Sequence, residues 1–328
     1  MKFLDLFAGI GGFRLGMEAA GHECVGFCEI DKFARKSYKA IHDTEGEIEL
    51  HDITEVSDDT IRGIGRVDII CGGFPCQAFS IAGARRGFED TRGTLFFEIA
   101  RFASILRPRL LFLENVKGLL NHDRGNTFEV ILSALDELGY DVEWQVLNSK
   151  NFGVPQNRER VFIIGHLRGE CTGRIFPIGR NTKQAYELPR ENITTNTLAA
   201  RYGAAQSNGS YIIESEQKKI RIKEATSQGY AEATIGDSVN LSHPNSKTRR
   251  GRVGKQIANT LLTGESQGVV EPDFRIRKLT PRECWRLQGF PDRAFDKARE
   301  VNSNSQLYKQ AGNSVTVNVI EAIARELG

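Results

Sequence analysis

The chain has 328 residues, 40% of them hydrophobic and 26% charged, with a formal net charge of +2. That length exceeds what one ordinary core serves and suits a large domain joined to a second. The near-balanced charge predicts neither a nucleic-acid nor an acidic partner, and any such partner would have to be met by local patches.

The first apolar run, FLDLFAG, predicts a strand, and DLFAGIGGF then sets Gly9, Gly11 and Gly12 at a strand-to-helix turn. Glycines there permit positive φ and let the backbone approach a ligand. The nucleotide fingerprint is incomplete, because Arg14 stands where its third glycine belongs, and a plain tight turn is the alternative. A start broken by Asp5 and glycines predicts no signal peptide, and no apolar run has the length of a bilayer span. FRLGMEAAG predicts a helix and ECVGFCEID a second strand, with Glu29 near the place from which such folds hold a ribose hydroxyl. After the helical KFARKSYKAIH, EIELHDI predicts a third strand whose Asp52 is placed to accept from an adenine amino group. Single acids at strand ends are usually solvated. With the glycine turn, this pair favours an adenosine-containing cofactor.

VDIICGG predicts the fourth strand and delivers GGFPCQAFSIAG. A structural cysteine packs as a small hydrophobe and needs no such setting. A reactive thiol does, because with a pKa of about 8.5 only a few per cent is thiolate at neutral pH. Pro75 stiffens the loop ahead of Cys76, and Arg85, Arg86 and Arg92 follow in a stretch that reads as a mobile lid over a polyanion. A structural cysteine beside a solvated basic loop is the alternative. Cys24, Cys28, Cys71, Cys171 and Cys284 complete the set. No CxxC and no zinc-like spacing occurs among them, which predicts no metal site and a reducing cytoplasm.

TLFFEIARFASILR predicts a helix, and LLFLENV then puts Glu114 and Asn115 at the sheet edge that bears Cys76. A carboxyl emerging from an apolar strand has its pKa raised by desolvation and serves as a proton donor; otherwise it caps a helix or faces water. After the helical TFEVILSALDELG, PQNRERVFIIGHL predicts a sixth strand preceded by Arg158 and Arg160. Alternate residues of an extended segment point one way, and two guanidinium forks suit a phosphate or a carbonyl oxygen. An exposed, ion-paired strand start is the alternative. Strand and helix alternation predicts a mostly parallel sheet with helices on both faces and ligands at the carboxyl ends of the strands.

From Asn181 to Asp273 the chain turns rich in Gly, Ser, Asn and Thr, with short β-prone pieces in GSYIIES and KIRIKEA. TTNTLAARYG and IANTLLTGESQG share an N-T-L core, by weak repetition or by chance. Ordered texture returns in RKLTPRECWRLQGFPD, and SVTVNVIEAIARELG predicts a terminal helix that folds back onto the first domain. The expected division is 1–180 catalytic and cofactor-binding, 181–273 target-recognising, 274–302 hinge, and 303–328 the return of the tail.

In this order, DLFAGIGG, GGFPCQAFS, ENVKGL, PQNRERVFIIG, RKLTPRECWRLQGFPD and QAGNSVTVNV resemble the successive motifs of bacterial DNA (cytosine-5) methyltransferases. The resemblance covers nearly the whole chain outside about 181–273. It implies an α/β fold: a Rossmann-like sheet of the S-adenosylmethionine-dependent methyltransferases with a smaller β-rich target-recognition domain. It also implies S-adenosyl-L-methionine as cofactor, S-adenosyl-L-homocysteine as product, no metal, and 5-methylcytosine made in duplex DNA. By it, Cys76 attacks cytosine C6, Glu114 protonates N3, Arg160 contacts the cytosine carbonyl, and Arg158 orients Cys76 or a phosphate. The cofactor contacts it carries over are Phe7, Gly9, Gly11, Glu29, Ile30, Asp52, Ile53, Pro75 and Leu95, with Asn313 and Ser314 from the tail.

A target base inside a duplex would have to be flipped out to reach such a pocket. The resemblance implies that the loop after Cys76, with Gln77, Ser80, Arg85, Arg86 and Arg92, closes on the DNA while 181–273 reads the major groove. Arg201, Arg249, Arg250, Arg252 and Lys255 are candidate DNA contacts from composition. Thr260-Leu261 looks like the family's Thr-Leu element, and Thr197-Leu198 competes for that role. The expected setting is a monomer in a bacterial cytoplasm, encoded by bacterium or phage, with a cognate restriction endonuclease as a functional but not physical partner. A transfer-RNA methyltransferase would share the fold and the cysteine chemistry. A non-catalytic DNA-binding homologue would lack the thiol or the acid. A nicotinamide oxidoreductase would explain the glycine turn and Glu29 but neither the Pro-Cys loop nor the Arg-x-Arg strand.

Overall fold

The computed structural model describes residues 1–75, 95–170, 173–178, 219–243, 246, 248–264 and 266–328. Seven strands form the central sheet: β1 (Lys2–Leu6), β2 (Glu23–Cys28), β3 (Ile48–Leu50), β4 (Ile69–Gly73), β5 (Leu110–Val116), β6 (Tyr140–Asn148) and β8 (Glu159–Leu167). Their spatial order is β3-β2-β1-β4-β5-β8-β6. The first five run parallel, and β8 lies antiparallel to both β5 and β6. The mostly parallel sheet agrees with the sequence pattern. β6 is an addition to it: in YDVEWQVLN apolar residues alternate with polar ones because it is the edge strand, with Trp144 half exposed.

Among the described residues the helices are α1 (Gly12–Ala19), α2 (Lys32–Ile41), α3 (Asp58–Gly63), α4 (Leu95–Leu106), α5 (Asn126–Glu137), α6 (Pro281–Leu287), α7 (Asp292–Val301), α8 (Asn304–Asn313) and α9 (Val317–Ala324). The two-residue period of a strand divides LLFLENV between two cores. Leu111 and Leu113 join Leu4, Leu6 and Ile70 under α4 and α5. Leu110 and Phe112 join Phe3 and Ile69 under α1 and α9. A fully buried side chain of this size contributes about 1.5–3 kcal/mol over an exposed one, so this one run anchors both layers. No helix among the described residues is long and apolar enough to cross a membrane.

Local signals start the helices that flank the site. Asp31 caps α2 by accepting the N–H groups of Phe33 and Ala34. Thr280 and Glu283 form a reciprocal capping box around Pro281 at the start of α6, which satisfies two N–H groups that the helix itself cannot. Trp285 of α6, Phe290 after it and Phe295 of α7 are buried in a third core shared with Ile10 and Ala34, and the Trp285 indole donates to the carbonyl of Leu307.

The β-prone part is built on small sheets. β9 (Ile220–Lys223) pairs with β10 (Tyr230–Ala233), and β11 (Ser238–Asn240) joins β12 (Val253–Gly254), β14 (Gln267–Val270) and β15 (Ile276–Lys278). Ile222, Ala233, Val239 and Val270 form their core. β13 (Ala258–Asn259) leaves this group and pairs in parallel with β7 (Gln156–Asn157), directly before Arg158. GSYIIES lies outside the described residues.

Candidate active site

The carboxyl ends of β1, β2, β4 and β5 converge on one edge of the sheet, where a cavity of about 430 Å³ opens. Phe7, Gly9, Glu29, Pro75, Glu114 and Arg160 are among its walls, and Asn313 and Ser314 close it from the tail. A smaller cavity of about 40 Å³ lies behind it, between Phe7, Gly9, Glu114 and Ser314.

β1 ends in a left-handed turn at Phe7 (φ 55°) and Gly9 (φ 58°). A side chain on Gly9 would meet no atom within 4 Å, so the backbone leaves a bare cradle facing the cavity. Glu29, just past β2, crosses to this turn: one oxygen accepts the Gly9 N–H at 2.7 Å, and the other accepts the Asp31 N–H at 2.7 Å. Burial raises the Glu29 pKa, and those two N–H groups oppose it. Each oxygen keeps a further lone pair for a ligand hydroxyl. An open glycine cradle beside a fixed carboxylate suits a nucleoside with vicinal hydroxyls, so these residues fit an adenosine-type cofactor.

The other cofactor candidates, Gly11, Ile30, Asp52, Ile53 and Leu95, are not among the residues that line either cavity. Gly11 opens α1 with φ 81°. Ile30 is 65% exposed. Asp52 lies two residues past β3, where its carboxylate accepts the N–H and hydroxyl of Thr54. Ile53 is buried in the core under α4, and Leu95 begins that helix.

Register explains the catalytic candidates. Gly73 of β4 lies opposite Glu114 of β5, and Val116 lies opposite Arg160 of β8. Glu114 and Arg160 are therefore diagonal neighbours on one face, and Arg160 Nε donates to Glu114 Oε1 at 2.9 Å. A Cβ on Gly73 would sit 3.1 Å from Glu114 Oε2, so the glycine preserves the space of the carboxyl. Glu114 is 8% exposed. Desolvation raises its pKa, while Arg160 and Arg158 pull the other way. The Arg160 N–H serves the neutral acid as well as the carboxylate, because either form keeps an accepting oxygen.

Arg158 lies on the same face but turns inward. It is 3% exposed and donates to the carbonyls of Leu261, Gly312 and Ser314. Burial, with Arg160 adding to it, pulls the Arg158 pKa down to about 9. Its guanidinium still borders the cavity, and its Nε has no hydrogen-bond partner among the described residues. Cys76 lies outside the described residues, as do Gln77, Ser80, Arg85, Arg86, Arg92, Thr197, Leu198 and Arg201. The chain leading to Cys76 is described to Pro75, and Asn115 Nδ2 holds it by donating to the Phe74 carbonyl at 2.9 Å.

In the β-rich part, Arg252 turns inward. It is 4% exposed and donates to the carbonyls of Asn240 and Lys223, inside the small sheets. Arg250 is exposed and Arg249 half-buried, while Lys255 pairs with Asp237. Thr260 donates its hydroxyl to the Asn157 carbonyl, and the Leu261 N–H donates to the Gln156 side chain. The Thr-Leu pair thus sits against the strand that leads to both arginines.

Sequence reasoning overlooked a buried amide network behind that strand. Gln156 donates to Gln288 and to the Leu287 carbonyl, Gln288 donates to the Ala311 carbonyl and accepts from Thr316, and Thr316 meets Ser149 at 2.8 Å. Glutamines inside polar runs give no signal of burial; only the fold brings positions 156 and 288 together.

The family model for C-5 cytosine-specific DNA methylases matches residues 1–328. A type II methyltransferase of Haemophilus parahaemolyticus, M.HhaI, is 38% identical, the match covering 100% of this chain and 94% of that protein. M.HpaII of Haemophilus parainfluenzae, also a type II methyltransferase, is 40% identical over 99% of this chain and 88% of its own length. Among solved structures, the S. pombe Dnmt2 methyltransferase superposes with a TM-score of 0.61 over 100% of this chain and 98% of that one, at 18% identity, a likeness of fold.

Proposed function

The chain belongs to the C-5 cytosine-specific DNA methylases and is a DNA (cytosine-5-)-methyltransferase, and on that premise we propose that Cys76 is its nucleophile, Glu114 its proton donor and S-adenosyl-L-methionine its methyl donor. The observation that carries this reading is Glu114, buried and paired with Arg160 on the wall of a cavity that Pro75, the residue before Cys76, also lines.

Glu29 would accept a ribose hydroxyl of the cofactor, and the Phe7–Gly9 turn would hold the rest of it. When bound, that cofactor supplies an electrophilic methyl carbon. Cytosine C5 is too weak a nucleophile to take it unaided. The Cys76 thiolate bonds to C6 while Glu114 gives its proton to N3, and the electron pair displaced onto C5 makes that carbon an enamine nucleophile. Arg160 donates to the cytosine carbonyl and keeps Glu114 in place. Once C5 is methylated, its proton passes to solvent, the C–H electron pair re-forms the C5=C6 bond as the Sγ–C6 bond breaks and restores the thiolate, and N3 returns its proton to Glu114. Arg158 supports this edge from inside by tying Leu261 to the Gly312–Ser314 turn.

The base reaches this pocket only when flipped from the duplex. Residues 1–180 carry catalysis and cofactor binding, 181–273 read the target, 274–302 connect, and 303–328 complete the cofactor pocket. The enzyme works as a monomer in a bacterial cytoplasm and protects host or phage DNA from a restriction endonuclease. Tritiated methyl from S-adenosylmethionine is expected to enter duplex DNA, and Cys76→Ser is expected to abolish the transfer. Label entering RNA alone would move the substrate to transfer RNA; transfer by the Cys76→Ser protein would refute the assignment of the nucleophile.

A further inference from the structure

We propose that Lys309 is a positioning residue for cofactor binding, acting through its ion pair with Asp31 to fix the loop that carries Glu29 and Ile30; this rests on the reading of Glu29 as a cofactor ligand. Lys309 lies on α8 and reaches across the cavity to Asp31 Oδ2 at 2.6 Å. Asp31 does three things at once. Its other oxygen accepts the Phe33 and Ala34 N–H groups that start α2, its own N–H donates to Glu29, and Oδ2 takes the Lys309 ammonium.

The loop is held from the opposite side as well. Arg35 Nη1 donates to the carbonyls of Glu29 at 2.7 Å and Ile30 at 2.8 Å. Between these bonds Ile30 stands 65% exposed, an apolar side chain directly after Glu29. Other bonds join α8 to α2, through Gln310 with Phe33 and with Ser37. Those bonds reach only the helix. Lys309 is the α8 side chain that reaches the loop itself.

Electrostatics gives the pair a second purpose. Glu29 and Asp31 are carboxylates two residues apart, and Asp31 adds to the burial that already raises Glu29. Burial works against the Asp31 charge too, but Lys309 and the two capping N–H groups outweigh it and hold Asp31 below the ordinary carboxylate range. Lys309 therefore keeps Asp31 charged as cap and clamp, while Arg35 is the cation that opposes the burial of Glu29.

The test uses the full chain with Lys309→Met, Asp31→Asn, their double variant, Lys309→Arg and Glu29→Gln. Asparagine keeps the helix cap and removes only the charge. The readouts are the Kd of S-adenosylhomocysteine by calorimetry, amide exchange at Gly9 and Asp31, and KM and kcat for the methyl donor. Each single change at 309 or 31 is expected to weaken binding about three- to fivefold, the upper range for a partly exposed pair. KM should rise with kcat unchanged, exchange at Asp31 should quicken, the double variant should be no worse than the weaker single, and Lys309→Arg should restore binding. If Glu29→Gln loses binding while the Lys309 and Asp31 variants bind as the parent does, the positioning role is overturned and the cofactor reading stands. If Glu29→Gln binds as the parent does, both fall.

Discussion

Asp5→Asn should stabilise the protein in alkali and do little in acid. Asp5 sits in the middle of β1 and is 0% exposed; one carboxyl oxygen has no hydrogen-bond partner, and the other accepts from Tyr38 at a long 3.5 Å. Burial pushes its pKa up to about 8, against the pull of Arg14. The unfolded chain releases this proton near pH 4. Between about pH 4 and about pH 8 the folded state holds one proton more than the unfolded state, so stability falls as pH rises, by up to about 1.4 kcal/mol per pH unit. Four units set a ceiling of roughly 5–6 kcal/mol, which relaxation and water entry reduce to about 2–3 kcal/mol by pH 9. Asparagine has the same shape and no proton to lose. Urea unfolding of both proteins at pH 5 and pH 9 measures the difference, in which every other titrating group cancels. A difference that is the same at both pH values, or that favours the parent at pH 9, would refute the reasoning.

Two further outcomes follow from the catalytic edge. Glu114→Gln should lower kcat by about 10²- to 10⁴-fold, the usual worth of a general acid, and leave S-adenosylhomocysteine binding intact by calorimetry. Because burial raises the Glu114 pKa and the proton is the catalytic part, the parent's rate should fall as pH rises through that raised value, and the variant should lack that limb in a stopped-time methylation assay. Asn115→Ala removes the bond to the Phe74 carbonyl and should cost about 1 kcal/mol in thermal unfolding. Its kcat should fall while KM for the methyl donor stays put, since the bond aims the Cys76 loop and does not touch the cofactor.

What the sequence made legible was local chemistry repeated in order. The glycine turn after β1, the acid after β2, the Pro-Cys loop after β4 and the acid ending β5 all stand at strand ends, and the strands announced themselves by apolar runs. Strand β6 escaped because an edge strand needs apolar residues on one face only, and Trp144, Val142 and Val146 alternate with acids and amides. The inward turn of Arg158 and of Arg252 escaped for another reason. Burying a guanidinium requires several carbonyls around it, and those come from Leu261, Gly312 and Ser314 in one case and from Asn240 and Lys223 in the other. Residues so far along the chain leave no mark near position 158. Arg14, standing where a third glycine belongs, belongs with them: Glu18 and Glu47 hold it in place.

The packing of α9 against α1 bears on how the protein is made. Phe13 and Met17 wait for Val319, Ile320 and Ile323 to cover their side of the sheet, and His22 near the start meets the carbonyl of Ala324, 302 residues later. At about 5–20 residues per second, a ribosome takes roughly 15–60 s to supply that cover. Throughout that interval Phe13 and Met17 lack the apolar cover that α9 gives them in the folded chain.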